Sequence, residues 1–268
     1  MTNKITNRIN YAHTDLIYLI KHYYYSSAKM HLLFSTSTDK SIKLWNISSE
    51  KIPCFLKIEN CFDGDVRSPF CMMFNNDDYY VFGGSYKSKK NIWNKNRVLI
   101  GKIDKSNLNR GGFIEATYIN NNSYIILSGC NHSELYDYAN NNLKKYISKN
   151  NNKEHLIANI FKNNNKIYLI CGDRGGNIMI FDFDNTNEIS SISVGFCIFS
   201  LCSINEKYIL VGKANGELDV IDFNNKSIVK KYQAHKNAVA GIEKFKTEIS
   251  QEFIITYNNN EIKVWQSN

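Results

Sequence analysis

Residues 34–47 read FSTSTDKSIKLWNI: a short apolar start, a polar turn around Asp39, then an alternating run that ends on a large aromatic, Trp45. The same pattern returns at 82–96 (FGGSYKSKKNIWNKN), 127–138 (LSGCNHSELYDY), 171–183 (CGDRGGNIMIFDF), 211–223 (VGKANGELDVIDF) and 255–267 (ITYNNNEIKVWQS). Its large residue is Trp45, Trp93, Tyr136, Phe181, Ile221 and Trp265, with spacings of 48, 43, 45, 40 and 44 residues. A near-constant period of this length marks a repeat architecture. Each interval holds two further β-rich runs, an outer one such as 98–103, VLIGKI, and an inner one such as 113–119, FIEATYI.

Four strands in a unit of about 44 residues make the blade of a β-propeller. The expected fold is all-β: a six-bladed β-propeller of four-stranded antiparallel blades, one domain over residues 1–268. The sequence stops just after Trp265, at the third strand of the sixth unit, so that unit lacks an outer strand of its own. Residues 3–9, NKITNRI, precede the first unit and take the slot of that strand. The N-terminal segment is therefore expected to pair with the last blade and close the ring, which covers strand edges otherwise open to other chains.

These residues resemble the WD-repeat (WD40) β-propeller family, over essentially the whole chain. The signature dipeptide stands as Trp45-Asn46, Trp93-Asn94 and Trp265-Gln266, and in weakened form as Tyr136-Asp137, Phe181-Asp182 and Ile221-Asp222. The family's upstream Gly-His signal is similar to Ala12-His13 and Ala234-His235. The resemblance implies a hydrogen-bonded tetrad of His, strand Ser/Thr, turn Asp and Trp that stiffens a blade. Its carry-over is His13, Ser35 or Ser37, Asp39 and Trp45 in the first unit, and a partial set of His235, Thr256 and Trp265 in the last. The four middle units lack most of it, so packing is expected to supply their rigidity.

Composition narrows the function. The chain is 43% hydrophobic and 13% aromatic, enough to build a core despite its Asn tracts. No apolar run has the length of a membrane span, and the polar opening MTNKITNRIN carries no secretion signal. The formal net charge is +8, but only five of the 33 basic residues are Arg, the better reader of phosphates and bases, so nucleic acid is disfavoured as a partner. Seven cysteines without a C-x-x-C fit reduced thiols in the cytoplasm or nucleus.

Candidate contact residues lie in loops, where a propeller carries its function. Phe62, Asp63, Asp65 and Arg67 surround Gly64 in the loop 59–69, whose Asp-Gly-Asp offers too few oxygens for calcium. Tyr86 and Lys89 belong to the basic turn YKSKK, suited to an acidic peptide or a phosphate. Arg110, His132, Arg174 and Lys213 occupy equivalent turns or loops and would add to a cationic rim if they converge. The six His form no H-E-x-x-H, and there is no G-x-S-x-G and no phosphate loop. No catalytic residue, metal or cofactor is expected. The leading reading is a non-enzymatic scaffold that binds other proteins through its loops, a monomeric ring within a larger complex, without membrane insertion. The alternatives are a structural subunit of a coat- or pore-type assembly and, less favoured, a metal-dependent propeller hydrolase.

Overall fold

A computed structural model describes residues 11–15, 17–49, 51–60, 70–75, 78–83, 90–103, 111–119, 122–129, 133–137, 142–147, 155–185, 187–246, 252–258 and 261–266. The fold is all-β and of propeller type; the one helical element among the described residues is a single 3-10 turn, Ser26–Ala28. Among the described residues no helix is long and apolar enough to cross a membrane. The chain divides into two compact units, residues 1–106 and 107–268.

The first unit holds two antiparallel four-stranded meanders. One runs β1 (Ile17–Tyr25), β2 (Met30–Ser37), β3 (Ile42–Asn46), β4 (Cys54–Ile58); the other β5 (Phe70–Asn75), β6 (Asp78–Gly83), β7 (Lys90–Asn94), β8 (Leu99–Ile103). The second unit holds β9 (Gly111–Ile119), β10 (Asn122–Gly129), β11 (Ser133–Asp137), β12 (Asn142–Ile147), then β13 (His155–Asn163), β14 (Lys166–Asp173), β15 (Asn177–Asp182), β16 (Glu188–Ser193), then β17 (Ile198–Ser203), β18 (Tyr208–Lys213), β19 (Glu217–Asp222), β20 (Ser227–Gln233), and finally β21 (Gly241–Lys246), β22 (Glu252–Tyr257), β23 (Ile262–Gln266). Five sheets are complete blades. The sixth, for which the repeat predicts four strands, has three, and among the described residues β23 pairs with β22 alone. Residues 3–9, read as its closing strand, lie outside the described residues.

Strand position explains strand composition. The second strand of β17–β20 is covered on both faces and carries a short continuous apolar run, β18 being YILVGK and buried from Ile209 to Lys213. Outermost strands alternate instead, as β4 does, with only Leu56 and Ile58 buried. Between successive sheets the apolar faces merge. In the first unit Leu44, Leu56 and Ile58 share a core with Tyr79, Val81 and Trp93. In the second, Phe161, Ile170 and Ile180 pack with Ile198, Ile209, Val211 and Phe223. Each such side chain, fully buried, contributes about 1.5–3 kcal/mol.

Two local devices recur at the signature dipeptide. A β-bulge sits at its large residue in all five complete blades, at Leu44/Trp45, Ile92/Trp93, Leu135/Tyr136, Ile180/Phe181 and Val220/Ile221. The residue after it closes the hairpin with an Asx turn: Asn46 Oδ1 accepts from Ser48 N, Asn94 Oδ1 from Asn96 N, Asp182 Oδ1 from Asp184 N and Asp222 Oδ1 from Asn224 N, each at 3.0 Å. That is the physical reason an aromatic or Ile is followed by Asn or Asp here.

Candidate functional site

In the first blade the side chains named from the sequence form a continuous hydrogen-bond chain. Trp45 Nε1–H donates to Ser35 Oγ at 2.9 Å, the Ser35 hydroxyl to His13 Nε2 at 2.8 Å, and His13 Nδ1–H to Asp39 Oδ2 at 2.9 Å. The acceptor-only carboxylate fixes the tautomer. Ser35, not Ser37, is the strand hydroxyl in this chain; Ser37 Oγ accepts from Asp39 N and donates to Asp15 O, each at 3.1 Å, shaping the turn.

The last sheet repeats the arrangement with one change. Trp265 Nε1–H donates to Thr256 Oγ1 at 2.9 Å, Thr256 to His235 Nε2 at 2.9 Å, and His235 Nδ1–H to Glu261 Oε1 at 2.8 Å. Sequence reading missed Glu261. Strand pairing aligns Thr256 with Lys263 as it aligns Ser35 with Lys43, and the intervening turn is one residue shorter than in the first blade. A longer side chain just before the strand therefore does what Asp39 does. Counting back from the Trp along β23 was the available signal. A second match escaped notice too: Lys43 Nζ donates to Ala12 O at 2.5 Å, and Lys263 Nζ to Ala234 O, so each blade ties the residue before its His.

The first tetrad carries a pH signature. Burial lowers the His13 pKa below its ordinary 6.5, and Asp39 offsets this only in part. Burial would raise the Asp39 carboxyl, but hydrogen bonds from Ser41, Thr14 N and His13 hold it at about 2. Both groups bind fewer protons folded than unfolded, so their stabilisation is present above the ordinary values and is lost on acidification: His13 below 6.5, Asp39 between 3.8 and about 2. Asp39→Asn should therefore flatten the fall in melting temperature across that lower window, and parallel curves for variant and wild type would refute the assignment.

The middle blades of the second unit use other ties. Asn163 Nδ2 donates to Glu206 O at 2.6 Å, Ser203 Oγ to Ile160 O at 3.1 Å and Ser200 Oγ to Val239 O at 2.8 Å, each linking one sheet to the next. The turns are locked to the outer strand of their own sheet through glycine. Gly176 O accepts from Val194 N at 2.8 Å, and Gly216 O from both Ala234 N and His235 N at 3.0 Å. Gly216 has φ +83°, and a Cβ there would lie 2.0 Å from His235 O, so no other residue fits.

Of the expected contact residues, Phe62, Asp63, Asp65, Arg67, Tyr86, Lys89, Arg110 and His132 lie outside the described residues. Arg174 is exposed on the β14–β15 turn. Lys213 corrects the sequence reading: it is fully buried, its ammonium 2.7 Å from Asp219, 2.6 Å from Glu217 and 3.4 Å from Val194 O. Burial alone would lower its pKa, but the bonds to Asp219 and Glu217 outweigh it and leave it raised. It is not a rim cation, because its side chain neutralises Asp219, which is itself fully buried on β19. Unforeseen at the same end of this unit are two exposed aromatics, Phe196 and Phe199. Among the described residues no three His, Cys, Asp or Glu side chains gather as metal ligands. No protein-family model matches the chain, and no curated protein matches it.

Proposed function

We propose that the chain is a non-enzymatic interaction scaffold, a single six-bladed propeller of the WD-repeat type in the cytoplasm or nucleus, which holds partner proteins against its turns and loops. The observation that carries this reading is the fixing of the Gly176 and Gly216 turns to the outer strands of their own sheets, together with the bond from Val239 N, ahead of β21, to Lys213 O, which makes the loop end a rigid platform rather than a set of mobile connections. Arg174 stands on that platform. Affinity capture from the native cell, read by mass spectrometry, should return a defined set of proteins. Arg110→Glu combined with Arg174→Glu should deplete that set while leaving the melting temperature unchanged. Capture no richer than that of an unrelated β-protein sinks the scaffold reading; full capture by the double variant sinks the cationic rim.

The edge of β23 favours a second reading. Ile262 and Val264 are 71% and 60% exposed on a strand that has one partner among the described residues. In the scaffold reading residues 3–9 take that edge and close the ring; in a coat- or pore-type subunit a strand from another protein takes it. Removing residues 1–10 separates them. A lowered melting temperature favours self-closure, and an unchanged one favours the donated strand.

A further inference from the structure

We propose that the outer margin of the first unit, where Val98, Leu99 and Ile100 border a cavity beside Arg97, docks an acidic peptide that carries a large apolar side chain. The proposal deepens the scaffold reading and rests on it. Val98, Leu99 and Ile100 are 54%, 44% and 44% exposed. Exposed apolar residues standing singly are ordinary, but three in succession at one sheet edge point to a binding role. The outer strands β4, β16 and β20 show no such run. Ile100 is turned outward by the bulge of its own blade. Leu99 pairs with Trp93 and Gly101 with Ile92, so Ile100 is the extra residue and leaves the alternation. There it lines a cavity of about 300 Å³ whose walls include Asp78, Tyr79, Tyr80, Asn94 and Lys95, a volume at the lower end of the range for ligand pockets.

The apolar rim continues onto the other sheet of the same unit, because Phe55 on β4 is 38% exposed and meets Tyr79 with ring centroids 6.2 Å apart. The hairpin that carries the site is held rigid. Arg97 N donates to Asn94 O, and Asn94 Oδ1 accepts from Asn96 N and Val98 N, each at 3.0 Å. Burial raises the Cys54 thiol and the Tyr79 phenol, and Arg97 opposes the rise at both, which places its charge between β4 and the cavity. Little ordering cost then remains for binding.

Charge selects the occupant. Residues 1–106 carry 16 Lys and Arg against nine Asp and Glu, so +7 of the chain's +8 belongs to this unit and +1 to residues 107–268. At the cavity the described acids are already neutralised, Asp78 by Lys95 at 2.5 Å and Glu59 by Lys57. Arg97 and Lys102 are exposed and make no ion pair among the described residues. These four cations and two acids leave a positive field around an apolar centre, which an acidic partner complements. A second copy would set the same charge against itself, and the bulge and Lys102 are devices that keep such edges from pairing with one another. A lipid surface offers no single side chain to fill the cavity.

The test is fluorescence anisotropy with a labelled peptide EDLFDE, against KKLFKK and EDAADE as controls, with sedimentation on phosphatidylserine vesicles beside it. The acidic apolar peptide should bind, the two control peptides should not, and affinity should fall as salt rises. Leu99→Ala with Ile100→Ala should weaken binding by at least about tenfold. Arg97→Glu should weaken it and reduce the salt dependence, whereas Lys226→Glu, the same charge change in the second unit, should leave it as in wild type. All these side chains are exposed, and an unchanged melting temperature confirms that the variants fold. Absence of peptide binding, equal binding of either control peptide, undiminished binding by the Leu99/Ile100 variant, or an equal loss from Lys226→Glu overturns the proposal. So does vesicle binding that needs Leu99 and Ile100 while the peptide stays free, which would assign the margin to a lipid surface. The wider reading fails separately: wild-type capture of no specific protein removes the scaffold, whereas an identical capture set for wild type and the Leu99/Ile100 variant removes only this site.

Discussion

Lys213→Ala is expected to destabilise the protein by about 3–5 kcal/mol, because it strips the counter-charge from a carboxylate that water does not reach. Asp219 is fully buried, its Oδ2 lies 2.7 Å from the ammonium, and its Oδ1 has no hydrogen-bond partner. The remaining charge would be left buried on β19 without the ammonium that neutralises it. The pair itself need not be stabilising, since withdrawing two ions from water costs nearly what their attraction returns. Lys213→Met combined with Asp219→Leu should therefore recover most of what the single substitution loses. Urea denaturation of the three proteins decides it. A single variant within about 1 kcal/mol of wild type, the range of a surface pair, would mean that Lys213 reaches water after all.

The reading of His13 and that of Lys213 have different roots. Ser35, Asp39, Trp45, His235, Thr256 and Trp265 are named together because the family resemblance sets their order relative to the large aromatic of a unit. A lysine at a strand end carries no such mark: whether it points to water or inward depends on what faces it across the hairpin. Here the ammonium reaches both Glu217 and Asp219, and Asp219, paired with Val211, stands on β19 where Lys43 and Lys263 stand on β3 and β23, each paired to the strand hydroxyl or its counterpart. The third-strand position carries an acid here in place of a lysine, and only the register reveals it. The blade repeat is legible for a similar reason, since the bulge at each signature residue demands one large side chain per unit. Phe196 and Phe199 are hidden because a bulge and a glycine, both set by backbone geometry, turn ordinary core residues outward.

Trp45→Ala is expected to cost about 3–5 kcal/mol, the range for truncating a large buried aromatic. Trp45 is only 7% exposed and donates to Ser35 at 2.9 Å, so the loss combines a cavity with a broken hydrogen bond. Trp265 separates the two contributions. Its indole makes an equivalent 2.9 Å bond to Thr256, in a chain that continues to His235 and Glu261, yet its side chain is only partly buried. If the tetrad dominates, Trp45→Ala and Trp265→Ala cost the same. If burial dominates, as area arithmetic requires, Trp265→Ala costs clearly less. Trp45→Phe sharpens the comparison, because it keeps most of the ring while removing the donor, and should cost about 1 kcal/mol beyond the change in volume. Chemical denaturation of the three variants would show which quantity stiffens a blade. Equal losses at positions 45 and 265 would assign it to the hydrogen-bond chain and leave packing as the lesser term.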